Sequence, residues 1–177
     1  IVTNNSNLAK ICYEIRNYGQ KSKYLHTRLG LNSRLDEIQA AFLNIRLKSL
    51  DINNHKRRQI ALRYIKKLSN LSQIRLILPS NIKEANFHLF VIKTKRRNIL
   101  MEYLKDQGIE TLIHYPIMIP DQPFLKKDYG STLLPVTRSF VKNCLSLPCH
   151  PQMNLDDVNY ISEKIINFRG LSVRGFL

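Results

Sequence analysis

The stretch Gly30-Leu31-Asn32-Ser33-Arg34-Leu35-Asp36-Glu37-Ile38-Gln39-Ala40-Ala41 changes character part-way along. It opens as a polar turn carrying Asn32, Ser33 and Arg34, and continues as a helix from about Arg34 to Lys48. Leu35, Ile38, Phe42 and Ile45 recur at helical spacing, which predicts a face turned to a core. Asn32 or Ser33 suits the N-cap, and Asp36 and Glu37 suit a first turn where the helix dipole favours negative charge. An amide, a hydroxyl and a guanidinium at a helix N-terminus also suit an anion, although capping alone accounts for the same residues.

Upstream, Ile1-Val2-Thr3-Asn4 reads as a strand end entering a turn. Asn5 or Ser6 caps a short helix through Leu8, Ile11, Cys12 and Ile15, and Gly19 suits a left-handed stop after Asn17-Tyr18. Residues 20–33 form a polar, aromatic loop whose length points to function rather than connection. Downstream, Asp51-Ile52-Asn53-Asn54 marks a break, and a basic helix with Ile60, Tyr64, Ile65 and Leu68 on one face follows. Arg57, Arg58 and Arg63 read as surface charges on that helix.

A short strand is expected at Leu76–Leu78 and a stronger one at Phe87–Thr94, with His88 as a hydrogen-bonded core residue. A helix over Arg97–Gln107 stops at Gly108, and Thr111–His114 returns as a strand, which together indicate a small α/β domain. Pro116, Pro120 and Pro123 force a loop. A helix over Val136–Cys144, the strand Leu145–Leu147 and a last helix begun by Asn154 or Asp156 complete the pattern. The tail 170–177 has no pattern.

The chain has 28 Lys and Arg against 13 Asp and Glu, a formal charge of +15. Such an excess attracts phosphorylated ligands, acidic membranes or nucleic acid. The cations are dispersed, though, and no nucleic-acid motif accompanies them, so they read mainly as solvated helix faces rather than as a nucleic-acid site. No apolar run is long enough for a membrane span and no signal-peptide layout is present, so the cytoplasm is the expected location. Cys12, Cys144 and Cys149 lack metal-ligand spacing; Cys12 and Cys144 read as reduced, buried thiols, and no metal site is expected.

A series of blocks then identifies a relationship. Asn17-Tyr18-Gly19-Gln20, Lys23-Tyr24, His26 and the Gly30–Ala41 stretch are followed in order by His88-Leu89-Phe90, Gly108-Ile109-Glu110-Thr111, Ile113-His114-Tyr115-Pro116 and Leu145-Ser146-Leu147-Pro148. This resembles the DegT/DnrJ/EryC1/StrS sugar aminotransferases over nearly the whole chain, to about Phe168. The resemblance implies an α/β fold, the C-terminal part of a fold-type I transferase dependent on pyridoxal phosphate. Residues 1–50 would be the end of the large cofactor-binding domain and 51–169 the small α/β domain, with 170–177 a tail.

The same resemblance implies a homodimer with shared active sites, pyridoxal 5'-phosphate as cofactor, glutamate as amino donor and a nucleotide-linked keto-sugar as substrate. Ser33 before Leu35-Asp36-Glu37 looks more like the members acting at C3 of a dTDP-linked 3-keto-6-deoxyhexose than those acting at C4. Asn32 would bind the cofactor phosphate, and Arg34 the phosphate or the substrate. His114 and Tyr115 would line the sugar side of the pocket, with Tyr24 and His26 as further substrate contacts.

In the family the Schiff-base lysine lies shortly before an Ile-Val-Thr-Asn-like segment, which here is Ile1-Val2-Thr3-Asn4. It is therefore expected upstream of residue 1. No lysine of this chain stands in its place, so the chain alone is not expected to transaminate. Two departures stand out: Pro120 where a His is expected, and Arg138 where an acid often follows Pro-x-Thr. The alternative function is a non-catalytic basic domain that binds a nucleotide sugar, phosphate or nucleic acid.

Overall fold

The computed structural model describes residues 1–130 and 132–168; the expected tail at 170–177 lies outside them. The chain divides into two compact units, Ile1–Leu50 and Asp51–Leu177.

In the first unit, α1 (Ser6–Ile15) begins where the Asn5 side chain accepts from the Leu8 N–H, 3.0 Å away. Residues 20–33, expected as loop, instead contain a two-stranded ribbon of β1 (Gln20–Ser22) and β2 (Leu25–His26), its tip at Tyr24. Helix α2 (Glu37–Leu47) starts later than expected. Neither Asn32 nor Ser33 caps it; Asp36 occupies the N-cap without a side-chain bond. The reason lies outside the helix: the Ser33 N–H is given to the Arg16 carbonyl at 2.9 Å, which ties that segment to the end of α1.

Nor does α2 face a core. Leu35, Ile38, Phe42 and Ile45 are all exposed, Ile38 at 72%, because nothing within this unit covers them. The expected break at Asp51–Asn54 falls instead at Lys48 and Ser49, and α3 (Leu50–Leu68) runs through those residues unbroken.

The second unit is built on an antiparallel sheet in the order β3 (Arg75–Ile77), β4 (Phe90–Lys93), β5 (Cys144–Leu147). Phe90 pairs with Leu147 and Ile92 with Leu145. Thr111–His114 does not make the expected strand; it contributes one bridge, Leu112 to Ser146.

Helices α3, α4 (Arg97–Asp106) and α7 (Leu155–Ile166) pack on the sheet. Ile60, Tyr64 and Leu68 of α3, Leu100 and Leu104 of α4, and Val158, Ile161 and Ile165 of α7 meet Phe90, Ile92, Leu145 and Leu147 in one core. Between Leu112 and β5 the chain makes a 3-10 turn at Ile119–Asp121, a short α5 (Lys126–Tyr129) and α6 (Pro135–Asn143). Arg138 of α6 pairs with Asp121 at 3.1 Å, so the departure noted there serves a local tie.

Helix α4 stops where Gly108 takes φ +74°, and α7 starts in a reciprocal cap between Asn154 and Asp157. Both ends follow local sequence chemistry. Among the described residues no helix is long and apolar enough to cross a membrane, and no three metal-ligand side chains gather.

Cys144 and Cys149 are buried, whereas Cys12 is only half-buried, against expectation, because α1 has little packed over it. Burial pushes the Cys149 thiol up to about 11, with the nearby Arg57 opposing the shift. A thiol raised in the folded state stabilises fully below its ordinary value of 9.0 and loses that contribution as pH rises towards 11. A thiol reagent at pH 7 is therefore expected to modify Cys12 first and to reach Cys149 only on unfolding, as peptide mapping over time will show.

Candidate functional site

In the first unit, three backbone bonds staple residues 31–33 to the end of α1. The Leu31 N–H donates to the Ile15 carbonyl (2.8 Å), the Tyr18 N–H to the Leu31 carbonyl (2.9 Å), and the Ser33 N–H to the Arg16 carbonyl (2.9 Å). Two glycines allow this approach. A Cβ on Gly30 would lie 2.0 Å from the Gly19 nitrogen, and one on Gly19, at φ +71°, would lie 1.8 Å from the Arg28 carbonyl oxygen. Glu14, buried in α1, accepts from Arg28 Nε at 2.7 Å and ties down the other side of the loop.

This staple places Asn32 and Arg34 together and beside Tyr18. Arg34 Nε donates to Asn32 Oδ1 at 3.1 Å, and its guanidinium carbon lies 5.7 Å from the Tyr18 ring centroid. No carboxylate pairs with Arg34 among the described residues. The Asn32 NH2 and the two terminal guanidinium nitrogens have no protein acceptor there either. A neutral donor and an unpaired forked cation, side by side and exposed, suit phosphate oxygens.

The same loop holds His26, whose Nδ1–H donates to the Tyr18 carbonyl at 2.9 Å. Tyr24 is not brought into this group: it is 82% exposed at the ribbon tip, with Lys23 Nζ 5.2 Å from its ring centroid. Tyr18, assigned no role from sequence, proves to be the surface on which Arg34 lies. Its signal was a tyrosine next to Gly19 in a turn that precedes the polar stretch.

In the second unit, His114 and Tyr115 meet edge to face, with ring centroids 5.5 Å apart. Tyr115 is 72% exposed, while His114 is half-buried with its Nδ1 2.9 Å from Ser146 Oγ. The Leu112–Ser146 bridge sets this distance: the Ser146 N–H donates to the Leu112 carbonyl at 2.8 Å and the Leu112 N–H returns the bond at 3.2 Å. Ser146 is a residue that sequence reading missed; its type, a lone polar residue alternating with apolar neighbours in Leu145-Ser146-Leu147, was the available sign.

His114 and Ser146, but not Tyr115, line a cavity of about 840 Å³ with Arg57, His88, Glu110 and Tyr160. Arg57 is not the free surface charge expected. It donates to the Cys149 carbonyl at 2.5 Å and to the His88 carbonyl at 3.5 Å, joining the two loops of the rim. His88 is not a core residue either. It lies outside β4 and is exposed, because Phe87, at φ +47°, takes the inward place beside it.

Comparison with known proteins places this geometry among relatives. The sequence model of the DegT/DnrJ/EryC1/StrS aminotransferase family matches residues 1–166. A pleiotropic regulatory protein of Geobacillus stearothermophilus is 37% identical over 171 residues, covering 95% of this chain and 46% of that protein. The dTDP-3-amino-3,6-dideoxy-alpha-D-galactopyranose transaminase of Aneurinibacillus thermoaerophilus is 38% identical over 165 residues, covering 93% and 45%. The crystal structure of S. venezuelae DesV in complex with a ketimine intermediate superposes with a TM-score of 0.86 at 35% identity, over 99% of this chain and 47% of that one. The chain thus spans somewhat less than half the length of the curated relatives it matches.

Proposed function

The chain belongs to the DegT/DnrJ/EryC1/StrS aminotransferase family, and from this we propose that it is the C-terminal portion of an enzyme that moves an amino group, from glutamate, onto a nucleotide-linked keto-deoxysugar. The observation that carries the reading is the Asn32–Arg34 pair, which among the described residues has donors left unpaired and no acid beside it. Its donor set fits the phosphate of pyridoxal phosphate. That cofactor, when bound, supplies the carbonyl that carries the amino group and the ring that draws off electrons.

The roles of this chain's own residues follow from their chemistry. Asn32 and Arg34 hold the phosphate by charge-assisted and neutral hydrogen bonds, and the Tyr18 ring keeps the guanidinium in place. His114 and Tyr115 meet the sugar, and His26, fixed through Nδ1, leaves Nε2 for a further contact. Residues 1–50 act as the end of the large domain and 51–169 as the small domain. A dTDP-linked 3-keto-6-deoxyhexose is the substrate class that fits the Asn32-Ser33-Arg34 sequence. In the assembled homodimer the exposed apolar side chains of α2 are covered. Leaving that face open predicts self-association of the isolated chain.

The reading takes none of the chain's lysines as the cofactor's anchor, since none stands in the sequence context that the family's anchoring lysine has. Incubating the chain with pyridoxal phosphate, reducing with borohydride and mapping lysines is expected to give scattered, substoichiometric labelling. A single stoichiometric lysine would overturn the reading. Supplying the lysine-bearing remainder is expected to restore aminotransfer from glutamate. In that enzyme Arg34→Ala should weaken the cofactor about tenfold or more, from the loss of a charged hydrogen-bond donor.

A further inference from the structure

We infer that Ser146 is a positioning residue that holds His114 as its Nε2–H tautomer, so that the imidazole meets the ligand as a hydrogen-bond donor rather than as a proton acceptor. This rests on the reading that His114 faces the sugar.

One bond between the two side chains has two possible proton arrangements. Ser146 is 4% exposed, and its hydroxyl has one proton to give. Among the described residues the hydroxyl's only hydrogen-bond partner is His114 Nδ1, at 2.9 Å. If the hydroxyl donates to an unprotonated Nδ1, both groups are satisfied and the ring proton is on Nε2. If Nδ1–H donates instead, the serine proton is left buried with no protein acceptor. Buried polar groups left unpaired are strongly disfavoured, which biases the pair towards the first arrangement by on the order of tenfold or more.

Both partners are held in register from outside the bond. Ser146 sits in β5 between Leu145 and Leu147, which are buried in the core, and the paired backbone bonds to Leu112 fix the segment two residues before His114. The arrangement is therefore a property of the sheet, not of a mobile side chain. With Nδ1 occupied, Nε2–H remains for the cavity that both residues line. A lone N–H donor recognises an acceptor oxygen: a keto or hydroxyl oxygen of a sugar fits, whereas an ammonium group does not. It also assigns any proton abstraction to another group.

The test uses the 177-residue chain as it is, with selectively 15N-labelled histidine at neutral pH. The 15N shifts and two-bond couplings of His114 are expected to show the Nε2–H tautomer alone. In Ser146→Ala they are expected to show a mixture, and in Ser146→Thr, which keeps the hydroxyl, a return to the single form. The amide spectrum of each variant checks that the sheet is intact. If the wild-type ring carries its proton on Nδ1, or if Ser146→Ala leaves the tautomer unchanged, the inference fails. Neither result depends on cofactor or substrate, so its failure is distinct from failure of the aminotransferase reading.

Discussion

Phe90→Ala is expected to lower the unfolding free energy of the second unit by about 4 kcal/mol, within the range for removing a buried aromatic side chain from a core. Phe90 is 1% exposed and begins β4, the strand that carries hydrogen-bond ladders on both sides. Its ring stacks on Tyr64 with centroids 4.9 Å apart and meets Phe87 at 6.4 Å. Truncation leaves a void between a strand and a helix that cannot close on it. The Tyr64 ring is itself tied through its hydroxyl, which donates to the Pro148 carbonyl at 3.0 Å.

Total domain stability is typically about 5–15 kcal/mol, so the loss should be visible as a large fall in the urea midpoint. Phe124→Ala is the control. That ring is 79% exposed, and its removal should change stability by less than about 0.5 kcal/mol. Similar midpoint shifts for the two variants would contradict the placement of the core.

The second large effect is expected at Gly30. Alanine there is excluded by space, since the added carbon would meet the Gly19 nitrogen at 2.0 Å, the Tyr18 carbonyl carbon at 2.5 Å and the Ile15 carbonyl oxygen at 2.6 Å. All three are backbone atoms, so no rotamer change relieves the clash. Residues 31–33 must lift from the end of α1, at a cost of about 3 kcal/mol.

Amide exchange at Tyr18, Leu31 and Ser33 should then speed up by about a hundredfold relative to wild type. The Asn32–Arg34 pair should lose the phosphate affinity proposed for it without either residue being changed. Gly108→Ala provides the comparison. That residue has φ +74° but no atom within 4 Å of the added carbon, so only the left-handed backbone is strained, at about 1 kcal/mol. If Gly30→Ala proves no worse than Gly108→Ala, the staple is not what holds the turn.

Some of the site was legible in the residues and some was not. Asn32 and Arg34 stand out through the family resemblance, since capping of the following helix would by itself account for the same residues. That Arg34 has no acid partner among the described residues, and lies on Tyr18 instead, depends on how residues 31–33 run back along α1. His114-Tyr115-Pro116 stood out as a motif. Its contact with Ser146 spans 32 positions, and no local pattern encodes a pairing that distant. Arg57 shows the opposite error. On a basic helix it looked like one more solvated charge, yet it joins two rim loops through carbonyls that sequence cannot mark as acceptors.

The sequence by itself determined the features set by near neighbours. These are the polar starts of the first and last helices, narrowed to Asn5 or Ser6 and to Asn154 or Asp156, the stop at Gly108, the inward stripe of α3 and the apolar strands β4 and β5. It also determined family membership, through blocks that keep their order along the chain. Only the tertiary structure decided what the apolar and polar faces meet. The spacing of Leu35, Ile38, Phe42 and Ile45 states that a face exists, not that anything covers it, and among the described residues of the first unit nothing does. Whether residues 20–26 pair as a ribbon, where α3 begins, and which hydroxyl reaches His114 are likewise settled by contacts across the fold. Periodicity reports the solvent preference of a surface, whereas the identity of its neighbour depends on how distant segments pack.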